Sequence, residues 1–137
     1  MQCNRDKCSV RLNGAPTNRI IIDMDCEALE MTNETRCDYL FVSEGDDMTW
    51  VVPIELKGGG AGSIIRVANQ LRGGAQLAAE LLPESLAIQL IPVLAHKKAI
   101  HRVDLKKLRK EKIKLRHYVG MIKVVKCGTP LVRALGS

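Results

Sequence analysis

A glycine-rich break at residues 58–62 (GGGAG) separates two segments of the chain whose apolar residues follow different periods. The preceding stretch, residues 50–57 (WVVPIELK), is apolar on both faces until its end, as is typical of a strand in the middle of a sheet. In the following stretch, residues 63–82, apolar side chains recur at helical spacing, and Ser63 is a suitable N-cap. A buried strand that leads into a long helix predicts a mixed α/β fold.

Further strands are predicted on both sides of this strand–helix unit. They cover residues 19–31, 36–42, 85–95 and 117–127, and a short basic helix is predicted over residues 103–112. Residues 1–18 carry no clear period. We therefore expect an irregular N-terminal segment, residues 1–18, followed by a single small α/β domain, residues 19–137, in which helices flank a mixed central sheet.

Hydropathy and cysteine content bear on the compartment. No apolar run reaches the ~20 residues that a membrane span needs, and the first 18 residues are polar and lack the apolar region of a signal peptide. We therefore expect a cytoplasmic protein without a membrane partner.

The five cysteines are an odd number, which argues against a closed disulfide framework. Free thiols in a reducing cytosol are the preferred interpretation, and a zinc site that uses Cys3 and Cys8 is the alternative.

Positive charge is concentrated in residues 97–117, the basic segment. This segment carries ten Lys or Arg residues against two acids, in a chain whose formal net charge is +6. The concentration favours contact with nucleic acid, and an ordinary solvated face is the plainer alternative. The predicted phosphate contacts are Lys97, Lys98, Arg102, Lys106, Lys107, Arg109 and Lys110. Aromatic residues make up only 3% of the chain, which argues against recognition by base stacking.

Two charged residues, Glu55 and Lys57, stand at the end of the apolar strand 50–57. Because they are two positions apart on a strand, their side chains share one face, with Cα atoms roughly 6–7 Å apart. A charge on a buried strand is expensive unless it is paired or binds a metal. A simple salt bridge at the strand end is one interpretation, and a functional site is the other.

Asp38 favours the functional interpretation. It lies on the preceding predicted strand, and the polar stretch 43–49 (SEGDDMT) predicts a hairpin between the two strands. Such a hairpin places Asp38 beside Glu55. Two carboxylates at one point repel each other unless a divalent cation lies between them. A lysine next to the pair is suited to contact a phosphate or an attacking water.

The segments RCDYLFV (36–42) and VVPIELKGG (51–59) together resemble the central motif of the PD-(D/E)XK nuclease superfamily, which includes restriction endonucleases and Holliday-junction resolvases. The family pattern is an acid on one strand, Glu-x-Lys on the next, and then a helix. Asp38 matches the first acid, and Glu55-Leu56-Lys57 matches Glu-x-Lys. The resemblance implies a restriction endonuclease-like fold.

The same resemblance implies a metal-dependent nuclease. Asp38 and Glu55 would hold Mg²⁺ or Mn²⁺, and Lys57 would orient or activate the attacking water. The family's glutamine on the following helix matches Gln70 first and Gln76 second. The implied substrate is nucleic acid, DNA in preference to RNA. Double-strand cutters of this type commonly pair, so a homodimer is among the expectations.

The sequence departs from the family pattern at two places. Cys37 stands where the name-giving proline would be. Residues 1–18 do not resemble the helix that carries a further acid in many members, so that role falls to Asp23, Asp25 or Glu27 or is absent. The alternative function is therefore a catalytically inactive nuclease-fold protein that binds nucleic acid or another protein.

Overall fold

The computed structural model describes residues 2–5, 8–12, 14, 18–24, 36–45, 47–59 and 62–135. The strands are β1 (Gln2–Arg5), β2 (Cys8–Arg11), β3 (Arg19–Asp23), β4 (Tyr39–Glu44), β5 (Thr49–Lys57), β6 (Ile88–Leu90), β7 (Val93–His96), β8 (Lys112–Leu115), β9 (Tyr118–Met121) and β10 (Lys123–Lys126). The helices are α1 (Ile64–Leu81), α2 (Arg102–Lys110) and α3 (Leu131–Leu135). The described part of the chain is thus a small α/β domain, as predicted.

A six-stranded mixed sheet forms the centre of the fold. Its order is β10-β7-β5-β4-β3, and β6 pairs with the first half of β5. The β3–β4 and β4–β5 pairs are antiparallel, whereas β5, β7 and β10 run parallel. The predicted hairpin between the second and third strands of the domain is confirmed, because Glu44 pairs with Thr49.

β6 and β7 are two halves of one interrupted strand. Both pair with β5 in the same register. If this register is continued across the residues between β6 and β7, Pro53 lies opposite Pro92. The Val51 carbonyl accepts from the Ile91 N–H at 2.9 Å, so odd-numbered residues of β5 direct their backbone groups toward β6 and β7. The nitrogen of Pro53, which carries no hydrogen, therefore faces the interruption between β6 and β7. At this position a central strand tolerates proline, because no ladder hydrogen bond is required of it.

Two layers cover the sheet, and each buries its own aliphatic core. The layer on one face consists of α1, α2 and the β8–β9 hairpin, and the layer on the other face includes β2 and α3. Side chains alternate between the layers along β5, so that Val51 faces α1 whereas Val52 and Ile54 face β2. Glu55 and Lys57 consequently lie on the α1 face.

Helix α1 begins at a capped first turn, and one of its glycines lets the helix pack close to β5. The Ser63 side chain accepts a hydrogen bond from the Arg66 N–H at 3.3 Å, which satisfies one free donor of the first turn. A Cβ atom at Gly74 would lie 2.6 Å from Cys37 Sγ and 3.0 Å from Pro53 Cβ. The glycine therefore lets α1 pack directly on β5, and the helix continues through it.

The expectation of free thiols is wrong for two of the five cysteines. Cys8 and Cys127, 119 positions apart in sequence, form a disulfide. The chain ends meet here because the Gly128 N–H donates to the Ser9 carbonyl at 2.7 Å and thereby holds the turn after β10 against β2. Cysteine parity does not reveal such a contact, which depends on the tertiary packing of both chain ends. The disulfide also excludes Cys8 as a zinc ligand.

Several elements differ from the prediction. Residues 1–18, which were expected to be irregular, contain β1 and β2. Strand β8 and helix α3 were not predicted. The predicted strand 19–31 is observed only as β3, and its remainder from residue 25 onward lies outside the described residues. No helix in the described ranges is long and apolar enough to span a membrane.

Candidate metal-dependent active site

Glu55 is the buried centre of the candidate site. Its side chain is only 3% exposed, and Oε2 lies 2.8 Å from Lys57 Nζ. The other carboxylate oxygen, Oε1, is buried and has no hydrogen-bond partner among the described residues. A buried carboxylate oxygen without a partner costs free energy, so this atom is the point where a cation or a donor from a ligand would be stabilising.

Asp38 lies beside Glu55, as the hairpin predicts. The β4–β5 register ends where Tyr39 pairs with Ile54, and just before Tyr39 the Asp38 N–H donates to the Ile54 carbonyl at 3.0 Å. Asp38 Oδ2 accepts from the Leu56 N–H at 2.7 Å. The carboxylate therefore replaces a backbone acceptor at the end of the ladder, which fixes its position next to Glu55.

The electrostatics of the site are set by the burial of Glu55 and by its neighbour Asp38. Burial and the neighbouring charge of Asp38 raise the pKa of Glu55 from 4.5 to about 7, against the opposing effect of Lys57. Burial and the charge of Asp38 together thus outweigh the effect of the lysine. Near neutral pH, Glu55 exchanges a proton readily, and any added positive charge favours its ionised form.

A glutamine on α1 completes the group. Gln70 is 5% exposed, and its Oε1 lies 3.5 Å from Lys57 Nζ. Gln76, the second candidate, is exposed and lines a groove together with Arg72 and Lys114. Of the two glutamines, the structure therefore brings only Gln70 to Lys57.

Cys37 stands where the nuclease motif has its proline, and it packs in the core. Its thiol is buried and donates to the Tyr39 carbonyl at 3.2 Å. Burial, followed by the charges of Glu55 and Asp38, raises the pKa of this thiol well above its usual range. Cys37 is therefore a neutral, unreactive group beneath Gly74 of α1.

The donor set is suited to a cation that keeps part of its water shell. Mg²⁺ is commonly held by one or two carboxylates, with water and substrate phosphate as the remaining ligands, and Asp38 and Glu55 meet that need. The described residues contain no cluster of three or more potential metal-ligating side chains. Asp23 ends β3 and is exposed, and the other candidates for a third acid, Asp25 and Glu27, lie outside the described residues.

Two residues of the basic segment lie next to the site. The Lys97 N–H donates to the Lys57 carbonyl at 3.0 Å, and the Lys98 N–H donates to the Gly59 carbonyl at 3.1 Å. Both lysine side chains are exposed. The turn after β7, which carries these two exposed lysines, is thus fixed to the segment that carries Lys57.

The other predicted phosphate contacts lie on α2. The helix exposes all five of them, namely Arg102, Lys106, Lys107, Arg109 and Lys110. Lys107 and Lys110 border a groove of about 460 Å³ between α2 and the start of α1. Arg109 instead borders a separate cavity of about 440 Å³, together with Lys123 and Arg133. The basic segment therefore presents its charge on more than one side of α2.

Comparisons of the chain with protein-family models, with curated proteins and with solved structures find no match. The resemblance to the nuclease superfamily therefore depends on the motif residues and on their arrangement.

Proposed function

We propose that this chain is a metal-dependent nuclease of the PD-(D/E)XK type, which hydrolyses phosphodiester bonds of nucleic acid, DNA in preference to RNA. One observation carries the proposal. Four side chains separated in sequence by up to 32 positions, Asp38, Glu55, Lys57 and Gln70, meet at one end of the sheet, where a buried carboxylate oxygen of Glu55 has no partner among the described residues. This concentration of unfavourable charge supports a binding role.

Each side chain has a distinct part in the proposed reaction. Asp38 and Glu55 would hold Mg²⁺ or Mn²⁺, which when bound supplies Lewis-acid stabilisation of charge at the phosphate. Lys57, whose side chain is 24% exposed, can donate a hydrogen bond to the attacking water or to a phosphate oxygen. Gln70 accepts from Lys57 and limits the directions in which the ammonium group can point. Lys97 and Lys98 attract the phosphate backbone without reading its sequence.

A catalytically inactive nuclease-fold protein that binds nucleic acid or another protein is the second candidate. The observation in its favour is that the described residues offer two converging carboxylates and no larger ligand cluster. On this alternative, the basic residues bind the phosphate backbone as proposed, but no bond is cleaved.

Plasmid nicking tests the proposal. Wild-type protein is expected to nick supercoiled DNA with Mg²⁺ or Mn²⁺ and to stop when EDTA is added. Lys57→Ala should abolish nicking while the melting temperature at pH 7 changes little, since Glu55 can take up a proton when its cation is removed. Lys114→Ala, an exposed lysine on β8, is the matched control and should cleave normally. A Lys57→Ala protein that unfolds would show that Lys57 is a structural ion-pair partner, and a wild type that binds DNA but never nicks it would favour the inactive alternative.

A further inference from the structure

The end of the sheet that carries Asp38 and Glu55 continues past Lys57 into a row of basic residues that was not predicted. Lys57 on β5 pairs with His96 on β7, and His96 pairs with Lys126 on β10. These strands are parallel neighbours, so the three residues stand side by side at their carboxyl ends. In open α/β sheets, this end of the strands is where ligands bind.

The three side chains lie on the same face of the sheet as the candidate site. Two positions before His96 and Lys126, Leu94 and Val124 pack in the core beneath α1. Side chains alternate along a strand, so residues two positions further on, His96 and Lys126, return to the α1 face. Lys57 lies on this face as well, because it contacts Gln70 of α1.

The charge along this end of the sheet changes sign at β5. Asp38 stands on the β4 side of β5, whereas His96 and Lys126 stand on the other side, on β7 and β10. A polyanion whose phosphate approaches Glu55 is therefore repelled from the β4 side of the sheet and attracted to the β10 side.

The distance between Lys57 and Lys126, and the contacts that hold Lys126 and His96 in place, agree with a nucleic-acid strand that runs from β5 toward β10. Neighbouring strands are roughly 4.8 Å apart, so Lys126 lies about 10 Å from Lys57, and one strand of duplex carries a phosphate for about every 3.4 Å of axis rise. The position of Lys126 is fixed by Cys127, which is in the disulfide and whose N–H donates to the His96 carbonyl at 2.9 Å. His96 is itself oriented, because its Nδ1 lies 2.7 Å from the Lys98 carbonyl oxygen, which can only accept.

We propose that bound nucleic acid runs across the carboxyl ends of β5, β7 and β10, and that Lys126 binds a phosphate near the one held at Asp38, Glu55 and Lys57. This inference rests on the proposed function. It adds a contact outside the basic segment and a direction for the substrate strand across the sheet.

Salt-dependent binding of a fluorescein-labelled DNA duplex, measured in EDTA so that no cleavage occurs, tests the inference. Each phosphate contact in a duplex contributes about 0.9 to the slope of log K against log salt. Lys126→Gln is expected to reduce the slope by about 0.9, and Lys126→Arg should restore it. Lys114→Gln removes an equally exposed lysine beside the second half of α1 and should leave the slope unchanged.

The outcomes separate this inference from the proposed function. A Lys126→Gln slope equal to that of Lys114→Gln, with wild-type binding intact, would overturn the path across β10 and leave the proposed nuclease standing. A slope that is reduced in Lys126→Gln and not restored in Lys126→Arg would show that Lys126 acts through the fold, which also overturns the path. A wild type without salt-dependent DNA binding would overturn the proposed function itself, and the path with it.

Discussion

The central residue, Glu55, combines three properties that rarely occur together in a side chain with only a structural role. It is buried, it stands next to a carboxylate, and one of its oxygens has no partner among the described residues. Natural proteins retain such unfavourable groups mainly where a ligand or a reaction uses them. The ion pair with Lys57 is therefore not a sufficient reason for the presence of Glu55, because the pKa of Glu55 stays raised despite it.

Removal of this charge should stabilise the metal-free protein in a pH-dependent way. The pKa of Glu55 is raised in the folded state, so the unfolded chain ionises first as pH rises from about 4.5 to about 7, and the wild type loses stability over that interval. Glu55→Gln escapes this loss. In EDTA, we expect Glu55→Gln to match the wild type near pH 4 and to exceed it by roughly 3 kcal/mol at pH 8.

Urea unfolding of both proteins at pH 4, 6 and 8 measures this difference. A Glu55→Gln protein that is less stable than the wild type at pH 8 would mean that the Lys57 ion pair outweighs burial and the charge of Asp38. Asp47→Asn, which removes an exposed carboxylate from the loop before β5, is the control and should change stability little at any of these pH values.

At the scale of elements, helix α1 depends on an arginine from a distant hairpin. Arg116 donates to the carbonyl groups of Ala79, Leu82 and Pro83, which lie at and just after the end of α1. These carbonyls have no partner within the helix itself, and a cation here also favours the negative end of the helix dipole. Arg116 is thus a structural member of the basic segment.

The backbone of Arg116 adds a cost to this arrangement. It occupies the first position of the two-residue loop between Leu115 and Tyr118, with φ at 57°, a conformation that favours glycine. We expect Arg116→Ala to destabilise by about 1–3 kcal/mol, since it loses the hydrogen bonds and keeps the strain. Arg116→Gly should lose about 1 kcal/mol less, because it relieves the strain.

Chemical denaturation of the two variants, with Lys114→Ala as the exposed control on the same hairpin, distinguishes these effects. A glycine variant less stable than the alanine variant would contradict the backbone argument. An alanine variant as stable as the wild type would contradict the capping argument.

At the scale of the whole molecule, the disulfide between Cys8 and Cys127 closes the chain on itself. Because it joins residues 119 positions apart, the chain-entropy description assigns it roughly 4–5 kcal/mol. We expect a non-reduced digest to contain the peptide of Cys8 linked to that of Cys127. Reducing agent should lower the urea midpoint of the wild type, whereas Cys127→Ser should start from a lower midpoint and not respond. Alkylation of both cysteines without prior reduction would contradict the assignment.

Prediction from sequence succeeded where the relevant contacts are local. The proximity of Asp38 to Glu55 follows from one short hairpin, and the shared face of Glu55 and Lys57 follows from the period of a single strand. The glycine break and the capped helix likewise depend on neighbouring residues. These features determine most of the candidate site and the α/β class.

The missing parts depend on contacts between distant segments. Lys126 stands in line with Lys57 only because β10 adds to β7 in parallel, and Cys127 meets Cys8 only because β2 packs beneath the same strands. Arg116 looks like one more cation of a basic run until the end of α1 is placed beside it. No period or spacing in the sequence encodes these three contacts.

Thermal melting in Mn²⁺ tests whether Asp38 and Glu55 form a divalent-cation site. A cation that binds only the folded state stabilises it by RT ln(1 + [M]/Kd), so the wild-type melting temperature should rise with Mn²⁺ concentration up to the millimolar range. Asp38→Asn keeps an oxygen that can accept from the Leu56 N–H and loses one repelling charge. Without metal it should be at least as stable as the wild type.

Asp38→Asn should also lose the Mn²⁺ response and DNA cleavage together, whereas the surface control Asp47→Asn should retain both. We expect the melting temperature to rise with Mn²⁺ concentration for the wild type and for Asp47→Asn, and to stay constant for Asp38→Asn. A wild type that shows no change at millimolar Mn²⁺, or an Asp38→Asn protein that responds as strongly as the wild type, would contradict the cation site.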